Sequence, residues 1–412
     1  MITKRQSRKL AGFTIAGALT MAGCSTPQTS PTPAAENGTD RLNPTPPVAL
    51  EQGRNAFGVD LYRRLAETGG NVVFSPTSIV EAFGLVQPGA RGDTAAQIGR
   101  TLRLVSGDAP TTAPLDQPGR RVAIGNSVWM QQRFPLNPEY RRIVTTRSGM
   151  APRLLDFANA QGSAATINRW VEERTAGKIK ELVKPSSIEP DTALILVNTV
   201  YLKADWAVPF DVSDTRNGPF QVATGRTVTV PFMQQSTRLG MLETRSFQAL
   251  ALPYRGEELT MVLFLPRSTD GLAVFEQGLT AAKLEGWMAD LRAAEPQWVD
   301  VQIPKLELAT RYELPEVLRR MGMVLPFTDQ ADLSGITSAG PLKIDDVVHQ
   351  ATLAVDERGT EASAATSVQI RVTSAAPIAK PFRADHPFFM AIRDNRSGDL
   401  LFMGRIADPS AR

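Results

Sequence analysis

The chain has 412 residues, 42% of them hydrophobic and 21% charged, a balance that suits a soluble globular protein and on length alone allows two or three domains. The formal net charge of +3 misleads. Lys4, Arg5, Arg8 and Lys9 have no acidic neighbour in the leader, and without them 41 bases face 42 acids, so nothing points to a nucleic-acid partner.

Residues 1–23 read as a bacterial export leader, in which four basic residues precede an apolar run from Leu10 to Gly23 that is too short to span a bilayer as a stable helix. The run ends Met21-Ala22-Gly23-Cys24, which resembles a lipobox with Met21 where leucine is commoner. Cys24 is the sole cysteine, so lipidation there is expected to be the only membrane attachment, and no internal disulfide can form. The other reading is ordinary signal cleavage near this point with Cys24 incidental. Either way the protein is expected to be exported, as a cell-surface or periplasmic lipoprotein or released outside the cell. Residues 24–48, rich in Ser, Thr, Pro and Ala, cannot bury enough apolar area to fold and read as a tether. Residues 49–412 read as one globular domain, expected to be a monomer.

Residues 50–67 suit an amphipathic helix with Phe57, Leu61 and Leu65 on one side. Asn71 to Phe74 reads as a short strand, Ser75 as an N-cap and Pro76 as the start of a helix. Asp93 or Thr94 is expected to open the next helix. A strand is expected over 121–130, and a helix over 163–182 that breaks near Gly177. The run 193–203, ALILVNTVYLK, is almost continuously β-prone, as in a strand covered on both faces. Two strands joined by a turn are expected within 246–267, and helices over 271–292. Val301 to Leu308 reads as one strand leading to a helix at 312–322. Ile344 to Val355 is a further strand, and the segments around 382–388 and 401–405 are the last.

The stretch 353–376, LAVDERGTEASAATSVQIRVTSAA, stands apart. From Thr360 it alternates: Thr360, Ala362, Ala364, Thr366, Val368, Ile370 and Val372 are small or aliphatic, whereas Glu361, Ser363, Ala365, Ser367, Gln369 and Arg371 are mostly polar. Two-residue alternation marks a strand with one buried face. Thirteen residues is long against a usual strand of about five or six, and the first half is small enough to slide between existing strands. Gly359 supplies a permissive backbone just before it. One reading is an ordinary long strand; the other is a loop able to become one.

Enzyme chemistry has little to work with. The two histidines are His349 and His386. Asp385-His386 is the nearest approach to a hydrolase pair, but as neighbours within a strand they are expected to face opposite sides. There is no G-x-S-x-G elbow and no phosphate-cradling G-x-x-x-x-G-K-[ST]. Two histidines and a leader cysteine make a poor transition-metal site. Neither catalysis nor a metal or cofactor is expected, and a lone strand histidine is ordinarily a satisfied core residue.

Glu357-Arg358-Gly359-Thr360-Glu361-Ala362-Ser363-Ala364-Ala365-Thr366 resembles the reactive-loop hinge of inhibitory serpins. Asn71 to Ile79 (NVVFSPTSI), Gly89 to Thr94, the Asn198–Phe210 stretch, Asp332 to Ile336, Phe382 to Phe388 and Leu401 to Arg405 resemble that family in the right order, covering residues from about 50 to 410. The resemblance implies an α+β serpin fold with three sheets, about eight or nine helices and an exposed reactive loop. It implies stoichiometric inhibition of a serine protease, which cleaves the loop, is held as an acyl-enzyme and is carried off as the loop enters the main sheet. Counting from the hinge, the cleaved bond is Thr373–Ser374. Small uncharged Val372 and Thr373 suit an elastase- or subtilisin-like pocket, with Arg371 as the alternative bait for a trypsin-like enzyme. It also implies a buried polar cluster of Ser75, Ser78, Asn198 and His349 where the sheet opens, and a Lys305–Glu357 ion pair above it. The alternative for that pair is a solvated contact of little worth. Some family members are non-inhibitory binding or transport proteins; their hinges carry bulky, charged or proline residues, unlike TEASAAT here.

Overall fold

The computed structural model describes residues 47–104, 120–148, 150–223, 225–360 and 378–411. The leader, Cys24, most of the tether and loop residues 361–377 lie outside the described residues, and with them the choice between strand and loop beyond Thr360.

A first helix, α1 (Pro47–Leu65), begins three residues before its apolar periodicity and buries Phe57, Leu61 and Leu65. Strand β1 (Val72–Phe74) leads to α2 (Pro76–Phe83), where the Ser75 hydroxyl caps the helix by accepting the Ser78 N–H at 3.1 Å. Helix α3 (Gly92–Thr101) starts just before Asp93 and has no side-chain cap. The Thr94 hydroxyl accepts the Asp332 N–H instead, at 2.9 Å, so tertiary pairing has taken the candidate cap.

Strand β2 (Arg120–Gln131), α4 (Pro138–Ser148) and β3 (Arg153–Leu155) precede α5 (Ala160–Arg174). The helix expected over 163–182 therefore stops early. Ala176 and Gly177 have φ of 52° and 77°, which turns the chain back. Asn168 then accepts the N–H groups of Leu182 and Val183 at 3.0 and 2.9 Å, and the apolar residues that mimic helical spacing, Ile179, Leu182 and Val183, are buried by this return.

Strand β4 (Leu194–Asp205) is buried along most of its length. Its Val200, Leu202 and Ala204 enter one core, while Ile195 and Val197 pack with Trp170 and Val171 of α5. That double covering explains its unbroken apolar run. There follow β5 (Arg216–Ala223), β6 (Arg226–Leu239), β7 (Met241–Glu243), β8 (Phe247–Pro253) and β9 (Leu259–Pro266). Two helices come next, α6 (Leu272–Gly278) and α7 (Ala281–Ala293). The strand expected from Val301 to Leu308 is two strands. One is β10 (Gln297–Pro304), paired with β6; the other is β11 (Leu306–Glu313), in a different sheet. Pro304 cannot donate to a ladder, and the chain changes sheets at Lys305. Helix α8 (Pro315–Arg320), β12 (Asp346–Asp356), the two-residue β13 (Gly359–Thr360), β14 (Lys380–Arg383), β15 (Phe388–Asp394) and β16 (Leu400–Ile406) complete the order.

The described residues thus hold eight α-helices and three sheets in an α+β arrangement. The main sheet has the order β11-β12-β13-β4-β2-β3, a second runs β1-β16-β15-β9-β8-β7, and a four-stranded sheet runs β14-β10-β6-β5. What positions the site is the join between β12 and β4. They pair in parallel from Asp346–Ile195 to Thr352–Tyr201, and above that point β13 lies between them, antiparallel to both.

Candidate functional site

Gly359 and Thr360, the start of the expected hinge, lie at the top of the main sheet. Gly359 pairs with Asp356 and Asp205, and Thr360 with Val355 and Ala204. Thr360 is 0% exposed, and its hydroxyl lies 2.6 Å from the Tyr254 hydroxyl. A side chain at Gly359 would collide with the Ala204 carbonyl oxygen, so close backbone approach demands glycine there. The turn before it is tied down from several directions. The Asp356 carboxylate accepts the Arg358 and Gly359 N–H groups at 2.9 and 3.3 Å. Trp206, stacked on Tyr254 at 4.5 Å, donates its indole N–H to the Asp356 carbonyl at 3.0 Å, and its own backbone N–H donates to the Arg358 carbonyl at 2.7 Å.

Glu357 is only 5% exposed. Its carboxylate accepts from Lys305 Nζ at 2.8 Å and from the Thr215 hydroxyl at 2.7 Å. Burial pushes its pKa up, but these donors outweigh burial and hold it below the usual carboxylate range. The pair is half solvated, with the Glu357 side chain 6% exposed and that of Lys305 37%. Lys305, at the break between β10 and β11, is bound to a largely buried carboxylate at the turn that feeds the loop.

Farther along the β12–β4 join, a single row crosses the sheet: Tyr312 of β11 opposite His349 of β12, Asn198 of β4 and Asn126 of β2. The structure brings Ser75, Ser78, Asn198 and His349 together on this row. The Ser75 N–H donates to His349 Nε2 at 3.2 Å, which leaves Nδ1 as the protonated nitrogen, donating to the Asn198 side-chain oxygen. The Asn198 amide donates to the Ser78 hydroxyl, to the Ser78 carbonyl at 2.9 Å and to the Asn126 side-chain oxygen. The Asn126 amide in turn donates to Glu81 of α2 at 3.2 Å. Burial lowers the His349 pKa to about 3, so the ring is neutral. This network bridges β12 and β4, and its members are buried, so each depends on the others for its hydrogen bonds.

Asn126, Glu81, Thr215 and Tyr254 were not foreseen as partners in the sequence. Asn126 is a polar residue within an otherwise strand-like run, the one local signal; the others depend on register and tertiary packing. Gly359 and Thr360 apart, the hinge residues Glu361, Ala362, Ser363, Ala364, Ala365 and Thr366, with Arg371, Thr373 and Ser374, lie outside the described residues.

His386 departs from expectation. It sits at a bend between β14 and β15, not in a strand, and its Nδ1 lies 2.8 Å from the Asp385 carboxylate. Nε2 faces the Pro266 carbonyl at 2.8 Å. Burial pushes its pKa down, but Asp385 and the Pro266 carbonyl outweigh it and leave it raised. With both ring nitrogens engaged, this pair ties the bend to the end of β9 and presents no free base.

Glu81 is buried, and burial and the nearby Asp399 charge push its pKa up to about 8 despite Arg54 and the Asn126 hydrogen bond. Between roughly 4.5 and 8 the unfolded chain is ionised there and the folded protein is not, so this group's contribution to stability is lost as pH rises through that window. Glu81→Gln removes the loss. The variant's advantage over wild type in thermal midpoint is expected to grow between pH 5 and pH 9 by the equivalent of roughly 4 kcal/mol. A difference that does not change with pH would overturn this account. His349 acts oppositely: its folded pKa of about 3 against the ordinary 6.5 costs stability as pH falls from about 6.5 to about 3.

The comparisons with known proteins agree with the topology. The family model for the serpins, described as serine protease inhibitors, matches residues 52–409. The leukocyte elastase inhibitor of Bos taurus is 36% identical over 378 residues, covering 87% of this chain and 99% of the bovine protein. The crystal structure of Serpin48, a highly specific serpin of the insect Tenebrio molitor, superposes with a TM-score of 0.78 at 28% identity, covering 88% of this chain and 98% of that one. Human thyroxine-binding globulin, solved in complex with thyroxine, superposes with a TM-score of 0.81 at 26% identity, covering 89% of this chain and 100% of that one. With the family model matched across residues 52–409 and relatives this similar over nearly the whole of their length, the chain belongs to the serpin family.

Proposed function

We propose that this serpin is a stoichiometric inhibitor of serine proteases, and that it works by inserting residues 361 onward between β12 and β4. The observation that supports it best is the seating of Gly359 and Thr360 there, antiparallel to both neighbours, above a stretch where those neighbours pair in parallel. Insertion would replace one parallel ladder by two antiparallel ones, and antiparallel pairing is the more stable per residue. Continuing the register, Ala362 would lie between Leu353 and Leu202, Ala364 between Ala351 and Val200, and Thr366 between His349 and Asn198. The small residues thus meet the crowded core face. The one hydroxyl on that face at this depth meets the polar row whose direct link the insertion breaks, and can restore a bridge across it.

In the proposed cycle the protease serine Oγ attacks the Thr373 carbonyl carbon. The bond to the Ser374 nitrogen breaks, the amine leaves with a proton from the protease histidine, and an ester links the enzyme to Thr373. Thirteen residues at about 3.3 Å each carry that ester roughly 43 Å as the strand inserts. Deacylation must then compete with distortion of the protease site. Elastase- or subtilisin-like enzymes fit Val372 and Thr373 best. The chain acts as a consumed reagent and not as a catalyst, with no metal or cofactor, and is read as a monomer. Export and lipid attachment at Cys24 would place it outside the cytoplasm; incorporation of labelled palmitate that is lost in Cys24→Ser checks this.

Incubation with a panel of serine proteases followed by denaturing electrophoresis tests the inhibitor reading. A band near the summed mass of the two partners is expected. Only cleaved serpin with every protease would favour the second reading, a binding or transport protein, for which the likeness to thyroxine-binding globulin is the supporting observation.

A further inference from the structure

Helices α1, α3 and α8 all end at one surface cleft of about 450 Å³, which no residue of β12 or β4 lines. Five arginines line it against two carboxylates. Glu67 is shared: it accepts from Arg64 at 3.1 Å and from Arg320 at 2.8 Å. Those two hydrogen bonds hold its pKa below the ordinary range. Asp60 is taken by Arg103, whose Nε donates at 2.9 Å. Arg63 donates to the Gln277 carbonyl at 3.1 Å and faces no carboxylate among the described residues, and neither does Arg100.

A basic residue in a last helical turn is ordinarily explained by the helix dipole. That accounts for one guanidinium per helix end. It does not account for five round one concavity, for a pair clamped in place by a shared carboxylate, or for two left without a counter-charge among the described residues. Guanidiniums spread over a convex surface repel and separate into water; here short ion pairs hold three of them at the wall of a cleft. The planar fork of arginine matches the paired oxygens of a tetrahedral oxyanion, and several forks converging select for a ligand carrying several such groups.

We propose that this cleft is a binding site for a compact multiply charged oxyanion, an oligophosphate or an oligosulfate. The anion neutralises Arg63 and Arg100 directly and competes with Glu67 for Arg64 and Arg320. Binding is therefore salt-sensitive.

Calorimetric titration of the whole protein at low salt tests this with two probes, inorganic tripolyphosphate and sucrose octasulfate. Saturable one-to-one binding of at least one is expected, and which of them binds separates the phosphate source from the sulfate source. In Arg63→Ala/Arg100→Ala the dissociation constant should rise at least about tenfold for each lost charge-assisted pair. Arg141→Ala/Arg169→Ala removes the same charge from exposed sites on α4 and α5 and should leave it within about twofold. Glu67→Gln frees two guanidiniums and should tighten binding several-fold, a gain that misfolding cannot imitate. No saturable binding of either probe, equal weakening by both double variants, or no gain in Glu67→Gln would each overturn the proposal.

Discussion

In Thr360→Arg, inhibition is expected to give way to cleavage: the serpin is cut at the same loop, but the number of molecules consumed per protease inactivated rises roughly a hundredfold. Thr360 is fully buried, flanked by Val355 and Ala204, with its hydroxyl on Tyr254. Among the described residues the Thr360 side chain bonds only the Tyr254 hydroxyl, and burying an unpaired cation there costs several kcal/mol. The hinge would be expelled from the sheet top before any protease arrives. Insertion would then have to carry the cation past Trp206 and Tyr254 while deacylation proceeds at its own rate. About 2.7 kcal/mol added to the insertion barrier is enough for the hundredfold change. Thr360→Ser, which keeps the hydroxyl for Tyr254, should stay within a few-fold of wild type. Progress curves at varied serpin-to-protease ratios give the stoichiometry directly. A wild-type value in Thr360→Arg would count against insertion as the inhibitory step.

How far the sequence could be read depended on which physical effect decided each element. Local chemistry was legible. The Ser75–Pro76 cap, the paired strands around 253–259 and the hydrophobic run of β4 follow from capping, turn and burial preferences that act over a few residues. Elements decided at long range were not. Residues 178–183 carry helical spacing, yet they run as irregular chain, with the Val183 N–H held by Asn168 fifteen residues back. Thr94 could have capped α3 but is taken by Asp332. The strand through Lys305 is split because its halves belong to different sheets. At the site, resemblance brought Ser75, Ser78, Asn198 and His349 into one group. Asn126 and Glu81 needed the β2–β4 register and the α2 packing before they could join it. The same limit kept Glu357 from being read as buried: a glutamate in a charged turn gives no local sign that Thr215 and Lys305 will close over it.

The second large effect concerns what the loop offers as bait. In Thr373→Arg, inhibition of a trypsin-like protease is expected to rise by two orders of magnitude or more, and inhibition of an elastase-like protease to fall by a similar factor. The reason is pocket chemistry. A deep acidic pocket pairs with a cation, whereas a shallow apolar pocket would have to strip the guanidinium of water with nothing to replace it. The hinge seat at Gly359 and Thr360 is untouched by this change, so insertion after acylation should proceed at the wild-type rate. Association rate and stoichiometry therefore separate: the first switches between proteases and the second stays near one. Arg371 makes the competing expectation concrete. If Arg371 is the bait, the wild type already inhibits trypsin, and Arg371→Ala abolishes that while leaving elastase unaffected. The C-terminal peptide released on cleavage decides between them by mass, because it begins at Ser374 in one case and at Val372 in the other. Both cuts leave a strand that reaches past Asp346 and Ile195, where the β12–β4 pairing begins in the register set by Thr360. A cut before Thr366 does not, since the strand would end short of the His349–Asn198 row and leave that row unbroken. An enzyme that cuts there should destroy the loop without being trapped.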